Sequence, residues 1–338
     1  MLADFHLGYC AIGLIFFGRS LLACRAFDQV PLLAGAGTET PESELVVLRT
    51  DTNPIAERGD QPLEPDAWRL IESPELRFVD LAGRAQDDAR FDLVARARTA
   101  MSEVTTAEVL AVTRSVVPTD PSAAHRAIRH LRAERAASLW LLPRPRPTWT
   151  LPLWLSTMTD ALPVYAAINR DDADFGAPDA PGLHRSDALR AALSGSEAAS
   201  SLPHRILKSM RASDQRVRVA FAADAFTDTA PHSLRRLSRQ YGELMRSLHV
   251  PNWLLAVTTL GYMAALVTAV HGPFATTAWG WFATAGWLSG AVPALLLARV
   301  SRIPTIAALF APFAAALDVL LQIRSLFGRR ATVATADS

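Results

Sequence analysis

The stretch WLLAVTTLGYMAALVTAV, residues 253–270, opens the part of the chain that decides the fold. Two more apolar segments, residues 274–298 and 303–323, follow it after short polar breaks. Each segment approaches the roughly 20 residues that an α-helix needs to cross a hydrocarbon core of about 30 Å. A helix is the expected form because lipid offers no partner for free backbone N–H and C=O groups. The sequence therefore predicts a membrane protein with a polar domain ahead of its C-terminal helices.

A shorter apolar segment, residues 7–23, lies near the N-terminus and contains one charged residue, Arg19. An uncleaved membrane anchor is the preferred interpretation, with Arg19 reaching towards an interface. A helix lying on the membrane is a second interpretation. A lipoprotein signal is a third, because the Leu-Leu-Ala-Cys run ending at Cys24 resembles a lipobox, although the first six residues lack the basic region of such signals.

These patterns divide the chain into four parts. Residues 1–25 are the predicted anchor and residues 26–250 the polar domain. Residues 251–330 are the predicted membrane helices, and residues 331–338 form a tail that is expected to be disordered.

Charge and cysteine content exclude several classes of function. The 338 residues include 34 Lys and Arg against 33 Asp and Glu, a net charge of +1. No strongly basic patch occurs, so the sequence gives no support for a nucleic-acid partner. Both cysteines, Cys10 and Cys24, lie in the N-terminal segment, so the polar domain has neither a disulfide framework nor a cysteine-based metal site.

The polar domain alternates between short apolar runs and amphipathic segments. The apolar runs predict strands over residues 44–48, 76–81, 108–112 and 138–142, and the intervening segments predict helices over residues 64–73, 87–101 and 120–137. Such alternation is typical of an α/β domain with a mostly parallel sheet. Because ligands bind at the carboxyl ends of strands in such sheets, the functional site is expected at the turns 49–54, 80–88 and 113–120.

Two apolar segments carry features that argue against plain membrane spans. Residues 149–168 contain two prolines and Asp160, so we predict a helix that lies at the membrane face or packs within the domain. Residues 303–323 also contain two prolines, together with Asp318, and a re-entrant or interfacial helix is slightly favoured over a third span.

The order of segments after residue 182 is informative. A Gly-x-x-Arg-x-Asp-Ala-Leu segment, from Gly182 through Arg185 to Leu189, begins a predicted helix, and a second helix is predicted over residues 202–212. A strand is predicted over residues 216–220, and the segments 223–231 and 233–240 then lead to the membrane helices. This order resembles that of the membrane-anchored family-2 glycosyltransferases, and most closely the branch that acts on ceramide or hopanoid lipids.

The resemblance implies a GT-A-like fold, a nucleotide-sugar donor and a membrane-lipid acceptor. It also implies a divalent cation, Mg²⁺ or Mn²⁺, on the donor diphosphate. By position it implies donor-binding roles for Asp51, Asp80, Arg185 and Gln240. For Asp51, an aspartate that stabilises a turn is an equally good interpretation.

The chain departs from the family at the expected metal site. The family has an Asp-x-Asp pair after the third strand, whereas this chain has Arg114 between a threonine and a serine. Arg114 is a candidate to bind the diphosphate in place of a cation, because a guanidinium group matches phosphate oxygens. The alternative is a solvated charge at a strand end. A literal Asp-x-Asp occurs downstream at Asp172 and Asp174, and it is either a metal site or a solvated acidic loop.

Two further motifs are altered. His204 lies near the position of the family's catalytic aspartate, and it is the candidate general base because histidine titrates near neutrality; a surface histidine is the alternative. In the last motif Gln240 is kept, but Glu243 occupies the place of an arginine.

Three hypotheses follow: an active membrane-bound transferase, a catalytically inactive relative that serves as a membrane partner or scaffold subunit, and an unrelated membrane-tethered binding domain. Arginines precede the first C-terminal helix, which predicts a polar domain on the cytoplasmic side of the membrane, the inner membrane in a bacterium. They are Arg235, Arg236, Arg239 and Arg246. This is also the side on which nucleotide sugars are found.

Overall fold

The computed structural model describes residues 2–33, 45–49, 76–80, 93–102, 104–112, 116–119, 122–171, 180–194, 202–229, 252–275 and 277–314, together with 237, 317 and 323. The chain divides into two compact units. The helical unit contains residues 1–30, 147–166 and 231–338, and the α/β unit contains residues 31–146 and 167–230.

The elements of the described residues are as follows. The strands are β1 (Leu45–Arg49), β2 (Leu76–Asp80), β3 (Glu108–Val112), β4 (Val116–Pro118), β5 (Ser138–Leu142), β6 (Arg144–Pro145), β7 (Gly182–Arg185), β8 (Val217–Phe221) and β9 (Phe226–Asp228). The helices are α1 (Leu2–Phe27), α2 (Leu93–Ser102), α3 (Ala123–Ala133), α4 (Leu151–Asn169), α5 (Ser186–Ser194), α6 (Leu202–Ala212), α7 (Asn252–His271), α8 (Ala278–Leu288), α9 (Ala291–Val300) and α10 (Ile306–Leu309), with a 3₁₀ turn at Gly272–Ala275.

Six strands form the main sheet of the α/β unit in the order β2-β1-β3-β7-β5-β8. The pairs β1–β2, β1–β3 and β5–β8 are parallel, whereas β7 runs antiparallel to both β3 and β5. The sheet is therefore mixed, and the prediction of a mostly parallel sheet is corrected by this one reversed strand. The segment from residue 182 was predicted to begin a helix; α5 does begin at Ser186, but the four residues before it form β7, a strand too short to show a period of two. Leu183 and His184 are nonetheless fully buried between their neighbours.

The predicted strands at residues 44–48, 76–81, 108–112, 138–142 and 216–220 are confirmed within one residue at each end. The predicted helix 87–101 is confirmed in its second half, and the helix 120–137 is confirmed as the shorter α3. The helix predicted over residues 64–73 lies outside the described residues. The core combines buried strand residues such as Leu110 and Leu139 with the buried face of α3, which includes Ile128 and Leu131. Burying such a side chain contributes roughly 1.5–3 kcal/mol.

A second, small sheet in the order β4-β9-β6 follows the main one. Each of its strands comes a few residues after a strand of the main sheet: β4 after β3, β6 after β5 and β9 after β8. The outer edge of β8 is covered, because residues 31–33 pair with Phe221 through two backbone hydrogen bonds of 2.8 Å. Residues 31–33 therefore protect a sheet edge.

Close backbone approach joins α1 and α8 in the helical unit. A Cβ atom added to Gly286 would lie 2.7 Å from the backbone oxygen of Gly13, so only glycine fits there. The rings of Phe17 and Phe282 lie 5.2 Å apart beside this contact. Small residues at helix crossings are typical of packing inside membranes, where helices gain stability from close van der Waals contact.

Two helical stretches among the described residues are long and apolar enough to cross a membrane, His6–Phe27 and Ala278–Val300. The second stretch contains a turn at Ser289 and Gly290, between α8 and α9. The predicted first C-terminal span forms the 20-residue helix α7. Of the segment 303–323, only the part up to residue 314 and residues 317 and 323 are described, so its predicted return into the membrane stays a prediction.

The apolar segment 149–168 forms α4, and nearly all of its side chains are buried. Leu155, Leu162 and Ile168 are completely inaccessible to solvent. This burial argues against a helix exposed on a membrane face, but residues 147–166 belong to the helical unit, so the predicted packing within the polar domain is corrected as well.

Candidate functional site

The carboxyl ends of three strands lie side by side in the main sheet. The last residues of β1, β2 and β3 are in register, since Arg49 pairs with Asp80 on one side and with Val112 on the other. From β1 the chain passes first to β2 on one side and later to β3 on the other side. This reversal of strand order is a topological switch point, where open α/β sheets hold their ligands beyond the carboxyl ends of the strands.

The small sheet adds to this carboxyl edge. Thr119, directly after β4, donates a hydrogen bond from its hydroxyl to the backbone oxygen of Asp224 at 2.6 Å. Arg126 of α3 donates to the same oxygen at 2.9 Å. Arg146, just after β6, donates to the backbone oxygen of Thr229 at 3.2 Å. These bonds hold the residue after β4 and helix α3 against the turn between β8 and β9, and the residue after β6 against the residue after β9.

Asp228 is a buried carboxylate that no sequence motif indicates. It ends β9, pairs in register with Val116 and Pro145, and is only 2% exposed. Val116 lies two residues after Arg114, so the chain brings Asp228 close to the turn in which a diphosphate-binding residue was predicted. In the sequence, only its position in the segment 223–231 points to a functional role, because this segment is part of the order that resembles family-2 glycosyltransferases.

The structure brings together only some of the predicted site residues. Asp80 is the last residue of β2 and stands at the carboxyl edge. Arg185 ends the reversed strand β7 and pairs with Glu108, the first residue of β3, so it lies at the opposite, amino edge. His204 lies in α6. Asp51, Arg114, Asp172, Asp174 and Gln240 are outside the described residues, and their roles stay predictions.

The start of the acidic loop is fixed by ion pairs. Asp171 adopts a positive φ of 62° after α4 and binds Arg218 through two hydrogen bonds of 2.9 and 3.0 Å. Arg211 of α6 donates a third bond to it at 2.7 Å. Burial acts to raise the pKa of the Asp171 carboxyl, but the two arginines outweigh burial and lower it. Asp171 therefore has a structural role as a charged anchor.

Metal-binding residues are not grouped in the described part of the chain. Among those residues, no three His, Cys, Asp or Glu side chains lie together as a metal site would require. The chemistry that the described carboxyl edge supports is binding of an anionic ligand, because Arg144 and Arg146 lie at this edge and guanidinium groups bind phosphate oxygens.

Neither a protein-family model nor a curated protein sequence matches the chain. Among solved structures, it is similar to the mannosyltransferase PcManGT from Pyrobaculum calidifontis in complex with GDP-Man and Mn²⁺. The two chains are 14% identical, the match covers 94% of this chain and 99% of that chain, and the TM-score is 0.48.

Proposed function

We propose that the protein is a membrane-bound glycosyltransferase that moves a sugar from a nucleotide-sugar donor to a lipid acceptor. The observation that carries the proposal is the switch point at β1, where the three in-register strands β1, β2 and β3 end side by side. The order of the segments after residue 182, which resembles family-2 glycosyltransferases, supplies the reaction class.

The donor would bind at the carboxyl edge. Carboxylates at strand ends accept hydrogen bonds from base and ribose, and Asp51 and Asp80 are the candidates for this contact. Arg114, in the turn after β3, would bind the diphosphate through its guanidinium group. We propose that Asp228 orients Arg114, a role supported by the pairing of β9 with β4, the strand that begins two residues after Arg114. His204 is retained as the proposed general base and Gln240 as a proposed donor contact, whereas Arg185 lies at the amino edge and is left out of the carboxyl-edge site.

No step of the proposal depends on a metal. The family's cation pair is missing at the third strand, and the alternative carboxylates, Asp172 and Asp174, are outside the described residues. Mg²⁺ or Mn²⁺ would supply charge neutralisation at the diphosphate, a task for which an arginine is the physical substitute.

A membrane location is supported by the surface of the helical unit. Among the described residues, the exposed large hydrophobic side chains lie in this unit, apart from Leu32. They include Leu7, Trp253, Val267, Trp281 and Phe313. Soluble surfaces seldom carry extensive apolar patches, whereas lipid-facing helices require them. The lipid would therefore serve both as solvent for the helices and as the source of the acceptor.

The donor site is tested by calorimetric titration of the purified protein in detergent with UDP- and GDP-linked sugars, with and without Mg²⁺ or Mn²⁺. We expect saturable binding of at least one donor without metal. Arg114→Ala should weaken it at least tenfold, which corresponds to about 1.4 kcal/mol. Arg216→Ala is the control, because Arg216 is an exposed arginine of the same unit, outside the carboxyl edge. Absence of binding under every condition would contradict the proposal.

A second candidate function is a catalytically inactive relative that acts as a membrane partner or scaffold subunit. The observation that favours it is Arg114 itself, since the family's cation-binding carboxylates are absent from that position. The two candidates differ in one outcome: a scaffold subunit would show no sugar transfer even with donor and lipid present.

A further inference from the structure

A cavity of about 660 Å³ lies at the amino edge of the main sheet, on the opposite side from the proposed donor site. It is formed where β3 begins, where β7 ends and where α3 ends. This volume is in the range of small-molecule sites, roughly 300–1,000 Å³. The cavity belongs entirely to the α/β unit.

The lining of this amino-edge cavity is strongly basic. It contains Arg132, Arg135, Arg185 and Arg190 against two carboxylates, Glu108 and Asp187, which leaves two positive charges in excess. Such an excess in a concave site favours an anionic ligand, and forked guanidinium groups suit phosphate in particular.

Three of these arginines are held in place by hydrogen bonds. Arg132 donates from Nε to Glu108 at 2.7 Å, and this bond raises the pKa of Arg132. Arg185 donates to Asp187 at 2.8 Å, and Arg190 donates to the backbone oxygens of Met101 and Val104. Each bond uses only part of a guanidinium group with five N–H donors, so donors remain for a ligand.

Two buried oxygens of the lining have no hydrogen-bond partner among the described residues. They are Oε2 of Glu108 and Oγ of Ser186, and both residues are 4% exposed. Unpartnered buried polar atoms are costly, about 1–3 kcal/mol each, and a bound ligand removes this cost. A hydroxyl group of the ligand would donate to Glu108, and the Ser186 hydroxyl would donate to an anionic oxygen.

We propose that the amino-edge cavity binds a small phosphorylated sugar or polyol, with Arg135 and Arg185 at the phosphate and Glu108 at a hydroxyl group. The basic lining selects the phosphate, and the unpartnered carboxylate oxygen selects a ligand that also carries donors. This binding site is separate from the proposed donor site and does not depend on transferase activity.

The backbone conformation of Arg135 allows a substitution that removes its guanidinium group and leaves the fold unchanged. It follows α3 with φ 50°, and the amide hydrogen bonds from Arg135 to Arg132 and from Ala136 to Leu131 form a Schellman motif. Glycine suits this left-handed position, so Arg135→Gly removes the guanidinium group without backbone strain. Asp214 occupies the same position after α6, with φ 54° and the same two bonds, and it lies outside the cavity. Asp214→Gly is therefore the matched control.

The experiment is calorimetry on the full-length protein in detergent with glucose 6-phosphate, inorganic phosphate and glucose. We expect saturable binding of glucose 6-phosphate, at least tenfold weaker binding of phosphate, and none of glucose. Arg135→Gly should weaken glucose 6-phosphate binding at least tenfold, whereas Asp214→Gly should leave it unchanged. Arg114→Ala should also leave it unchanged, because Arg114 belongs to the proposed donor site.

Three results would overturn the proposal: no saturable binding of glucose 6-phosphate, equal effects of Arg135→Gly and Asp214→Gly, or loss of binding in Arg114→Ala. The last result would assign the sugar phosphate to the donor site. Failure of nucleotide-sugar binding in the separate titration leaves this test unaffected, so the two proposals can fail independently.

Discussion

Burial determines the chemistry of His184, the most enclosed ionisable side chain of the α/β unit. It is completely buried in β7, its Nδ1 lies 2.9 Å from the hydroxyl oxygen of Ser138, and its ring lies edge-on to Trp140. Burial lowers the pKa of His184 to about 3. The side chain is therefore neutral at physiological pH and has a structural role.

The pKa of His184 predicts a pH dependence of stability. In the unfolded chain the imidazole takes up a proton near pH 6.5, whereas the folded protein does so only near pH 3. The unfolded state thus binds more protons between these values. The free energy of unfolding should decrease by about 1.4 kcal/mol for each pH unit below 6.5.

The matching experiment compares the protein with His184→Gln by chemical denaturation in detergent at pH 7 and pH 5. The free-energy difference between the two proteins should shift by about 2 kcal/mol in favour of the variant at pH 5, because other titrating groups cancel in the comparison. A difference independent of pH would contradict the prediction, because it would show that His184 takes up a proton equally readily in the folded and unfolded states.

Some site residues lie where the sequence predicted them, and others do not. The resemblance assigned Asp80 to the donor by its position, and in the structure Asp80 is the last residue of β2, at the carboxyl edge. Arg185 was assigned to the donor through the same kind of reasoning, but a strand reversal puts it at the other edge. The direction of β7 depends on pairing with two distant strands, which no local pattern reveals. Asp228 was missed for the same reason, since its neighbours come from β4 and β6.

Asp160 of helix α4 forms an ion pair that the sequence did not predict. Asp160 argued against a membrane span, and Arg19 of α1 was expected to reach towards an interface. The structure pairs them: Nε of Arg19 lies 2.6 Å from Oδ1 of Asp160, and Nη2 lies 2.7 Å from Oδ2. The residues are 141 positions apart, so periodicity alone cannot predict this pair.

The pair predicts a double-mutant effect on the helical unit. Replacing only one member, as in Arg19→Leu, leaves a carboxylate without its partner among apolar helices. Because both side chains are nearly 30% exposed, we expect a loss of about 2–3 kcal/mol, somewhat below the range for fully buried pairs. Arg19→Leu combined with Asp160→Leu should recover at least half of this loss. Removing both charges leaves neither one unpaired.

Thermal unfolding in detergent, with the four proteins of the cycle, measures this coupling. Arg25→Leu is the control, since Arg25 is an exposed arginine in the last turn of the same helix. A double variant less stable than either single variant would contradict the account. It would mean that the two charges act separately.

The sequence predicted an α/β unit and a set of apolar helices, and both are present among the described residues. Strand positions were predictable because buried strands give continuous apolar runs, as in Ser138–Leu142, where every residue is buried. The assignment of residues 147–166 to the helical unit was not predictable, because their burial depends on contacts made across the fold. Which residues lie at the carboxyl edge and which at the amino edge was not predictable either, because this depends on the order and direction of the strands.

The central claim is that the carboxyl edge of the α/β unit transfers a sugar to a membrane lipid. The most direct measurement is the transfer of radiolabelled sugar from UDP- and GDP-linked donors to lipid by the purified protein in lipid nanodiscs. We predict a labelled lipid product, with the rate reduced at least tenfold by Asp80→Asn or Arg114→Ala and unchanged by Asp214→Gly. Donor binding with no labelled lipid under any condition, or transfer unaffected by both carboxyl-edge variants, would contradict the account.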